Sequence, residues 1–212
     1  MAKRILARHG KSAYNKLGLW TGHTDVDLDE DGHIEAECAG KALCGVTIHH
    51  AHVSNLKRTH QTLDGIKRGL GLGADDLVPV RHHALNERHY GIHTGKNKWE
   101  VRALVGEEEF RRIRRNWNHP IPEGETLKDV HDRVVPYYEE SIKPDLLADR
   151  NVLVVSHGNT LRALVKYLED IAEDMIAELE IATGEVYCYE VDGAGMIIGK
   201  EIRTGKSEGA NA

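Results

Sequence analysis

Two stretches of this sequence set a histidine among small polar or cationic residues directly after an apolar run. They are Arg8-His9-Gly10, after Ile5 to Ala7, and Ser156-His157-Gly158-Asn159, after Val152 to Val155. A neutral imidazole offers a nucleophilic nitrogen, and guanidinium and amide donors spread charge over the oxygens of a phosphoryl group in transfer. One histidine among fourteen is usually a surface or core residue, so neither stretch is informative alone. Two at matching strand ends weaken that reading, because an α/β topology can bring such ends together. Asn15 and Arg58 could add donors, and Gly158 and Asn159 could present backbone amides at a helix N-terminus. Glu87, in Asn86-Glu87-Arg88-His89-Tyr90-Gly91, could exchange the proton that such a transfer needs, although a loop glutamate taken by itself is ordinarily just solvated.

The elements that must position these groups alternate. Ile5 to Ala7 read as a buried strand, followed by a helix from an Asp29 cap to about Cys44, a strand at Ala51-His52-Val53 and a helix from about Lys57 to Leu70. Leu85 to about Pro122 is polar and turn-rich, then charged and helical from Glu107 to Trp117, like an insertion over a site. Thr126 and Asp129 resemble a capping box, after which Leu127, Val130, Val134, Tyr138 and Ile142 line one side of a helix. Asn151 to Val155 is the continuous apolar run of a strand covered on both faces, and Leu161, Leu164, Val165 and Leu168 follow with helical spacing. Glu185 to Val191 and Met196 to Ile202 suggest a terminal hairpin. The pattern predicts a three-layer α/β/α fold with a mostly parallel central sheet and right-handed crossovers. Residues 1–203 read as one catalytic domain and 204–212 as a flexible tail.

Composition narrows the function classes. A formal charge of −6 gives no whole-chain field for nucleic acid or an anionic membrane, so an anionic substrate needs a concentrated basic pocket. Cys38, Cys44 and Cys188 leave at least one thiol unpaired and form no CxxC spacing, which favours reduced structural thiols. The N-terminal MAKRILARHG has no signal-peptide stretch and no segment is apolar enough to span a bilayer, so a cytoplasmic protein is expected. His49, His50, His52, His82 and His83 could suggest a transition metal, but without a carboxylate or cysteine at recognised spacing they read as surface histidines.

Taken together, Arg8-His9-Gly10-Lys11-Ser12, Asn15, Thr21-Gly22, Glu87 to Gly91, Asn97-Lys98 and Ser156 to Asn159 resemble the bisphosphoglycerate-dependent phosphoglycerate mutases of the histidine phosphatase superfamily, over roughly residues 3 to 192. The resemblance implies His9 as the phosphohistidine nucleophile, Glu87 as proton donor and acceptor, and His157 as a stabiliser of the transferring phosphoryl group. It places Arg8, Asn15 and Arg58 in the phosphate pocket. Ser12, Thr21, Gly22, Arg88, Tyr90, Lys98, Arg114, Arg115, Gly158 and Asn159 become substrate- or phosphate-binding positions. Arg114-Arg115 carries weight because, between Asn97-Lys98 and Gly124 to Lys128, the pair occupies the family's basic substrate position; alone it would read as a solvated helix face. The implied activity exchanges 2- and 3-phosphoglycerate, primed by 2,3-bisphosphoglycerate and without a metal. Its partners are small phosphorylated three-carbon acids, and a homo-oligomer is compatible with it.

Lys11 stands where the family commonly has Glu or Gln, His23 where it often has an aromatic residue, and Thr59 where a small alanine is common. Two other readings compete: a histidine phosphatase that passes the same phosphoryl group to water, and a catalytically silent phosphometabolite-binding module. The first differs in the acceptor; the second would bind phosphoglycerate yet form neither phosphohistidine nor product.

Overall fold

In the computed structural model, which describes residues 1–204, the apolar runs become strands of one six-stranded sheet. The strands are β1 (Ala2–Arg8), β2 (His50–Val53), β3 (Val80–Arg81), β4 (Val152–Ser156), β5 (Glu185–Val191) and β6 (Ile197–Thr204), in the order β3-β2-β4-β1-β5-β6. The first four are mutually parallel, and β5 and β6 add antiparallel at the β1 edge. β4, the most apolar run in the sequence, lies inside with all five residues buried.

Alternation along the strands divides the core into two layers. Ile5 and Ala7 of β1 with Leu153 and Val155 of β4 face the helices α2 (Glu30–Ala42) and α3 (Lys57–Leu70). Leu6, Val152 and Val154 face the opposite layer, built by α6 (Leu127–Tyr137), α7 (Lys143–Leu147) and α8 (Gly158–Leu168). The expected α/β architecture with a mostly parallel sheet is therefore present. Among the described residues no helix is long and apolar enough to cross a membrane.

Local chemistry sets the helix ends. Asp29 caps α2 by accepting from the Gly32 N–H at 2.8 Å, and Thr126 and Asp129 complete a reciprocal capping box at α6. The single helix expected through Ile142 is interrupted. Pro136 lies within α6, Tyr138–Ile142 widens into a π turn whose Lys143 N–H reaches back five residues to the Tyr138 carbonyl, and Pro144 follows without a donor.

Three elements differ from expectation. β3 is only two residues long and exposed, so it carried no alternation to read. The charged helix expected from Glu107 to Trp117 ends at Arg115 as α5 (Glu107–Arg115), with Trp117 buried beyond it. It is preceded by an unanticipated helix α4 (Lys98–Val105), capped by Asn97 and stopped at Gly106. α4 and α5 enclose a separate apolar cluster of Trp20, Val101, Phe110, Ile113 and Ile121. At the C-terminus, Thr204 closes β6 rather than opening a tail; the rest of the expected tail lies outside the described residues.

Candidate active site

β1 and β4 are adjacent and in register, with Arg8 opposite Ser156, so the next residue of each is a histidine at the same strand end. The His9 and His157 rings meet edge to face with centroids 4.9 Å apart, and both are buried. The His9 N–H holds the Ser156 carbonyl at 3.0 Å, continuing the parallel pairing past β1. Gly10 then passes against Gly32 at the start of α2, where a Cβ would lie 2.2 Å from the Gly32 carbonyl oxygen; only glycine admits that approach.

Hydrogen bonding assigns the tautomers. His9 Nδ1 lies 2.7 Å from the Gly10 carbonyl, which can only accept, so the ring proton sits on Nδ1 and the lone pair on Nε2. Burial pushes His9 well below the ordinary histidine range, and the charges of Arg58 and Arg8 push it further. His9 is thus a neutral imidazole with a free nucleophilic nitrogen. His157 is also pushed well below, by burial, then by Arg58 and His9. Its Nδ1 accepts from Arg58 Nε at 3.2 Å, leaving Nε2 to donate to Ser54 Oγ at 2.8 Å.

Arg58, from the first turn of α3, donates through its two other nitrogens to the carbonyls of Thr24 and Gly22, each at 3.0 Å. Burial lowers it to about 10, which leaves it cationic at neutral pH. Arg8 lies across the start of α8, where a Cβ on Gly158 would come within 3.3 Å of its guanidinium carbon. It donates to the Ile181 carbonyl at 2.5 Å, and its buried Nε has no partner among the described residues.

Glu87 reaches the same place from the loop before α4. Its Oε1 accepts from the backbone of Arg88 at 2.7 Å and from the backbone and side chain of Asn159 at 3.3 and 3.2 Å; none of these donors reaches Oε2. The loop is fixed by Arg133 of α6, which donates to the carbonyls of Ala84, Asn86 and Glu87 and to the carboxylate of Glu125.

These groups surround a cavity of about 120 Å³. His9, Thr21, Arg58, Glu87 and Asn159, all buried, line it with Arg8, Asn15 and Gly158; Tyr90, Lys98, Arg114 and Arg115, all half-buried, also line it. Six cations face two carboxylates there, which makes it the concentrated basic pocket that an acidic chain needs for an anion. Such an arrangement can attack, hold and release a phosphoryl group: a neutral nucleophilic nitrogen, cationic donors for its oxygens and a carboxylate for the proton.

The pattern described as Histidine phosphatase superfamily (branch 1) matches residues 4–200. This chain belongs to the histidine phosphatase superfamily. Its relatives include a protein of Parvibaculum lavamentivorans named 2,3-bisphosphoglycerate-dependent phosphoglycerate mutase, 40% identical over 93% of this chain and 94% of that one. A protein of the same name from Brucella melitensis is 41% identical over 93% and 96%. Among solved structures, YhfR of Bacillus stearothermophilus superposes with a TM-score of 0.79 at 26% identity, covering 93% of this chain and 94% of that one. A mycobacterial glucosyl-3-phosphoglycerate phosphatase gives 0.78 at 23%, covering 96% and 98%.

Within this superfamily member, four of the residues singled out from sequence do not line the cavity. His157 stands behind Arg58, and Gly22 offers Arg58 a carbonyl. Ser12 caps the short helix α1 (Ala13–Lys16) and donates to Asn15 Oδ1 at 2.9 Å, which leaves the Asn15 amide nitrogen to serve as a donor. Arg88 donates to the carbonyls of Ile113 at 2.7 Å and Arg114 at 3.3 Å, bracing the end of α5.

Conversely, Trp20, Arg162, Glu180 and Ile181 line the cavity without having been singled out. Arg162 had a readable signal: it lies three residues after Asn159 on the same helix, and its guanidinium donates to Asn159 Oδ1 at 2.9 Å. Glu180 had none, since only the fold brings its turn beside α5. Of the departures, Lys11 turns to Asp31 at 2.8 Å, and His23 donates to the Glu87 carbonyl at 2.7 Å. Thr59 shares a buried hydrogen bond with Ser54. Of the clustered histidines, His49 accepts from the Asn151 backbone, while His52 and His82 share Tyr137, the first by a hydrogen bond and the second by stacking. Among the described residues no group of three or more His, Cys, Asp or Glu is arranged to hold a metal.

Proposed function

We propose that this protein is a phosphoglycerate mutase that interconverts 2- and 3-phosphoglycerate through a phosphohistidine on His9. The observation that carries this reading is the second set of cations: besides Arg8 and Arg58, the half-buried Lys98 and Arg114 line the same cavity as the buried His9. A hydrolase needs one anion subsite, whereas a mutase must hold a three-carbon acid with anions at both ends. The mutase names of the relatives support it.

A bisphosphate primer suits these residues. Arg8 Nε is a buried donor without a partner among the described residues, and the excess of cations suits a highly charged ligand. Arg8, Arg58 and Asn15 would hold the reacting phosphoryl group, and Lys98 and Arg114 the distal anion. When bound, 2,3-bisphosphoglycerate supplies the phosphoryl group that His9 carries.

In the transfer from His9, the P–N bond at Nε2 breaks as the substrate hydroxyl forms a P–O bond, and Glu87 takes the hydroxyl proton. In the return, Nε2 forms the P–N bond and Glu87 gives its proton to the departing oxygen. Arg58 spreads the charge that develops on the phosphoryl oxygens. His157 keeps Arg58 in place and acts on the phosphoryl group through it. A cytoplasmic setting is part of this reading.

The test is the fate of the phosphoryl group. Purified protein supplied with 3-phosphoglycerate and catalytic 2,3-bisphosphoglycerate is followed for 2-phosphoglycerate and for inorganic phosphate. The mutase reading expects isomer formation to exceed phosphate release by orders of magnitude. Phosphate as the main product replaces it with a phosphatase, and binding without either product replaces it with a silent module.

A further inference from the structure

The two adjacent arginines of α5 are not equivalent. Arg115 is held from several sides: its carbonyl accepts from Arg162 at 3.1 Å, one guanidinium nitrogen lies 3.4 Å from the Leu179 carbonyl, and another pairs with Glu180 at 2.9 Å. Arg114 lies over the Phe110 ring, 5.4 Å from its centroid, and among the described residues it pairs with no carboxylate. Glu180 is two-thirds exposed at 67%, whereas Arg115 retains 20%, so the pair stands at the rim with its acidic half toward solvent. Beyond it lies an outer recess of about 230 Å³ that shares Arg114, Arg115 and Glu180 with the inner cavity.

A carboxylate at 2.9 Å occupies the place on Arg115 that a ligand oxygen would take. We propose that Glu180 is a charge-selecting gate at the distal end of the cavity, releasing Arg115 only to a ligand whose distal group is more strongly anionic than a carboxylate. This rests on the mutase reading for its physiological meaning, though not for its physics. Arg114 and Lys98 receive the distal end of any ligand; Arg115 is added only when a distal phosphate displaces Glu180.

The displaced carboxylate stays near that phosphate and near Arg8 and Arg114, so part of the new attraction is offset by repulsion. The most highly charged ligand is thereby held less tightly than the arginines alone would hold it. For a cycle that must turn a bisphosphate end over end, such a hold favours release and reorientation over trapping.

Calorimetric titration in a His9→Asn background, which keeps the ligand intact, tests this with 2,3-bisphosphoglycerate and with orthophosphate as probes. Adding Glu180→Gln should lower the bisphosphate Kd about fivefold and change the orthophosphate Kd by less than about twofold, as expected for one charge removed a short distance from the distal group only. Glu178→Gln removes the same charge two residues away, where the carboxylate pairs with Arg111 at 2.7 Å outside the inner cavity, and should move neither Kd by more than about twofold. Equal effects on both probes, no effect of Glu180→Gln, or the same gain from Glu178→Gln would overturn the gate. Should the otherwise unaltered protein yield phosphate as its main product, the mutase reading fails while this pair of Kd ratios still decides the gate.

Discussion

The inner and outer ends of the cavity are built in different ways. The inner end hangs on the sheet: the β1–β4 register sets His9 beside His157, and Arg58, buried at the start of α3, locks His157 to the Gly22–Thr24 loop. The outer end stands on α4 and α5, whose apolar contacts form a cluster separate from both sheet layers. Side chains tie that cluster to the body, notably Arg88 and Arg162 reaching the carbonyls at the end of α5. On the proposed reading, chemistry rests on strand ends and substrate choice on a peripheral unit, so variants at the two ends should fail differently.

The largest effect should come from the inner end. His9→Ala removes the nitrogen proposed to form the P–N bond, and turnover should fall by about 10⁴-fold or more with loss of acid-labile phosphate on the protein. Its thermal midpoint should stay close to the parent, which separates lost chemistry from lost fold. Glu87→Gln comes next. The amide can still accept from Arg88 and Asn159 but cannot take a proton, so kcat should drop about 10²- to 10³-fold with KM little changed. Equal losses in kcat and affinity would make Glu87 a binding group instead.

The same division explains what could be read from sequence. Strand ends announce themselves: an apolar run closing on a histidine and a glycine singled out His9 and His157, and both follow the carboxyl ends of the two central strands. Burial behind those residues was not legible, because a motif position does not say whether its side chain touches the ligand or braces a neighbour that does. Arg88 and Ser12 are such braces. β3 was too short to show alternation, and α4 lay within a turn-rich stretch. Glu180 illustrates the limit most clearly, since its place beside Arg115 depends on two segments 65 residues apart in number but joined only by packing.

A smaller effect should come from the outer end. Arg114→Met keeps an unbranched apolar stem over Phe110 while removing a charge that has no carboxylate partner among the described residues. KM for phosphoglycerate should rise about tenfold with kcat within about threefold, as for a cation that binds the distal anion without touching the reacting one. A loss confined to kcat would show that the two ends of the cavity are coupled.

The smallest effect, a pH profile, sets the two ends against each other in one experiment. Burial, reinforced by the neighbouring charges of Arg114 and Arg8 and opposed by that of Glu87, lowers Lys98 to about 8. A bound anion favours the charged form and raises that value, so the contribution of Lys98 to affinity is complete below about 8 and is lost as the pH rises beyond it. KM should climb severalfold between neutrality and alkaline pH, and Lys98→Arg, which stays charged, should flatten the rise. At the inner end the sign is reversed. His9 is held well below the ordinary histidine range, so falling pH does not protonate it near 6.5, and kcat should show no histidine inflection there. A kcat that falls with an apparent pKa near 6.5 would mean that His9 is neither as buried nor as close to Arg58 and Arg8 as this arrangement requires.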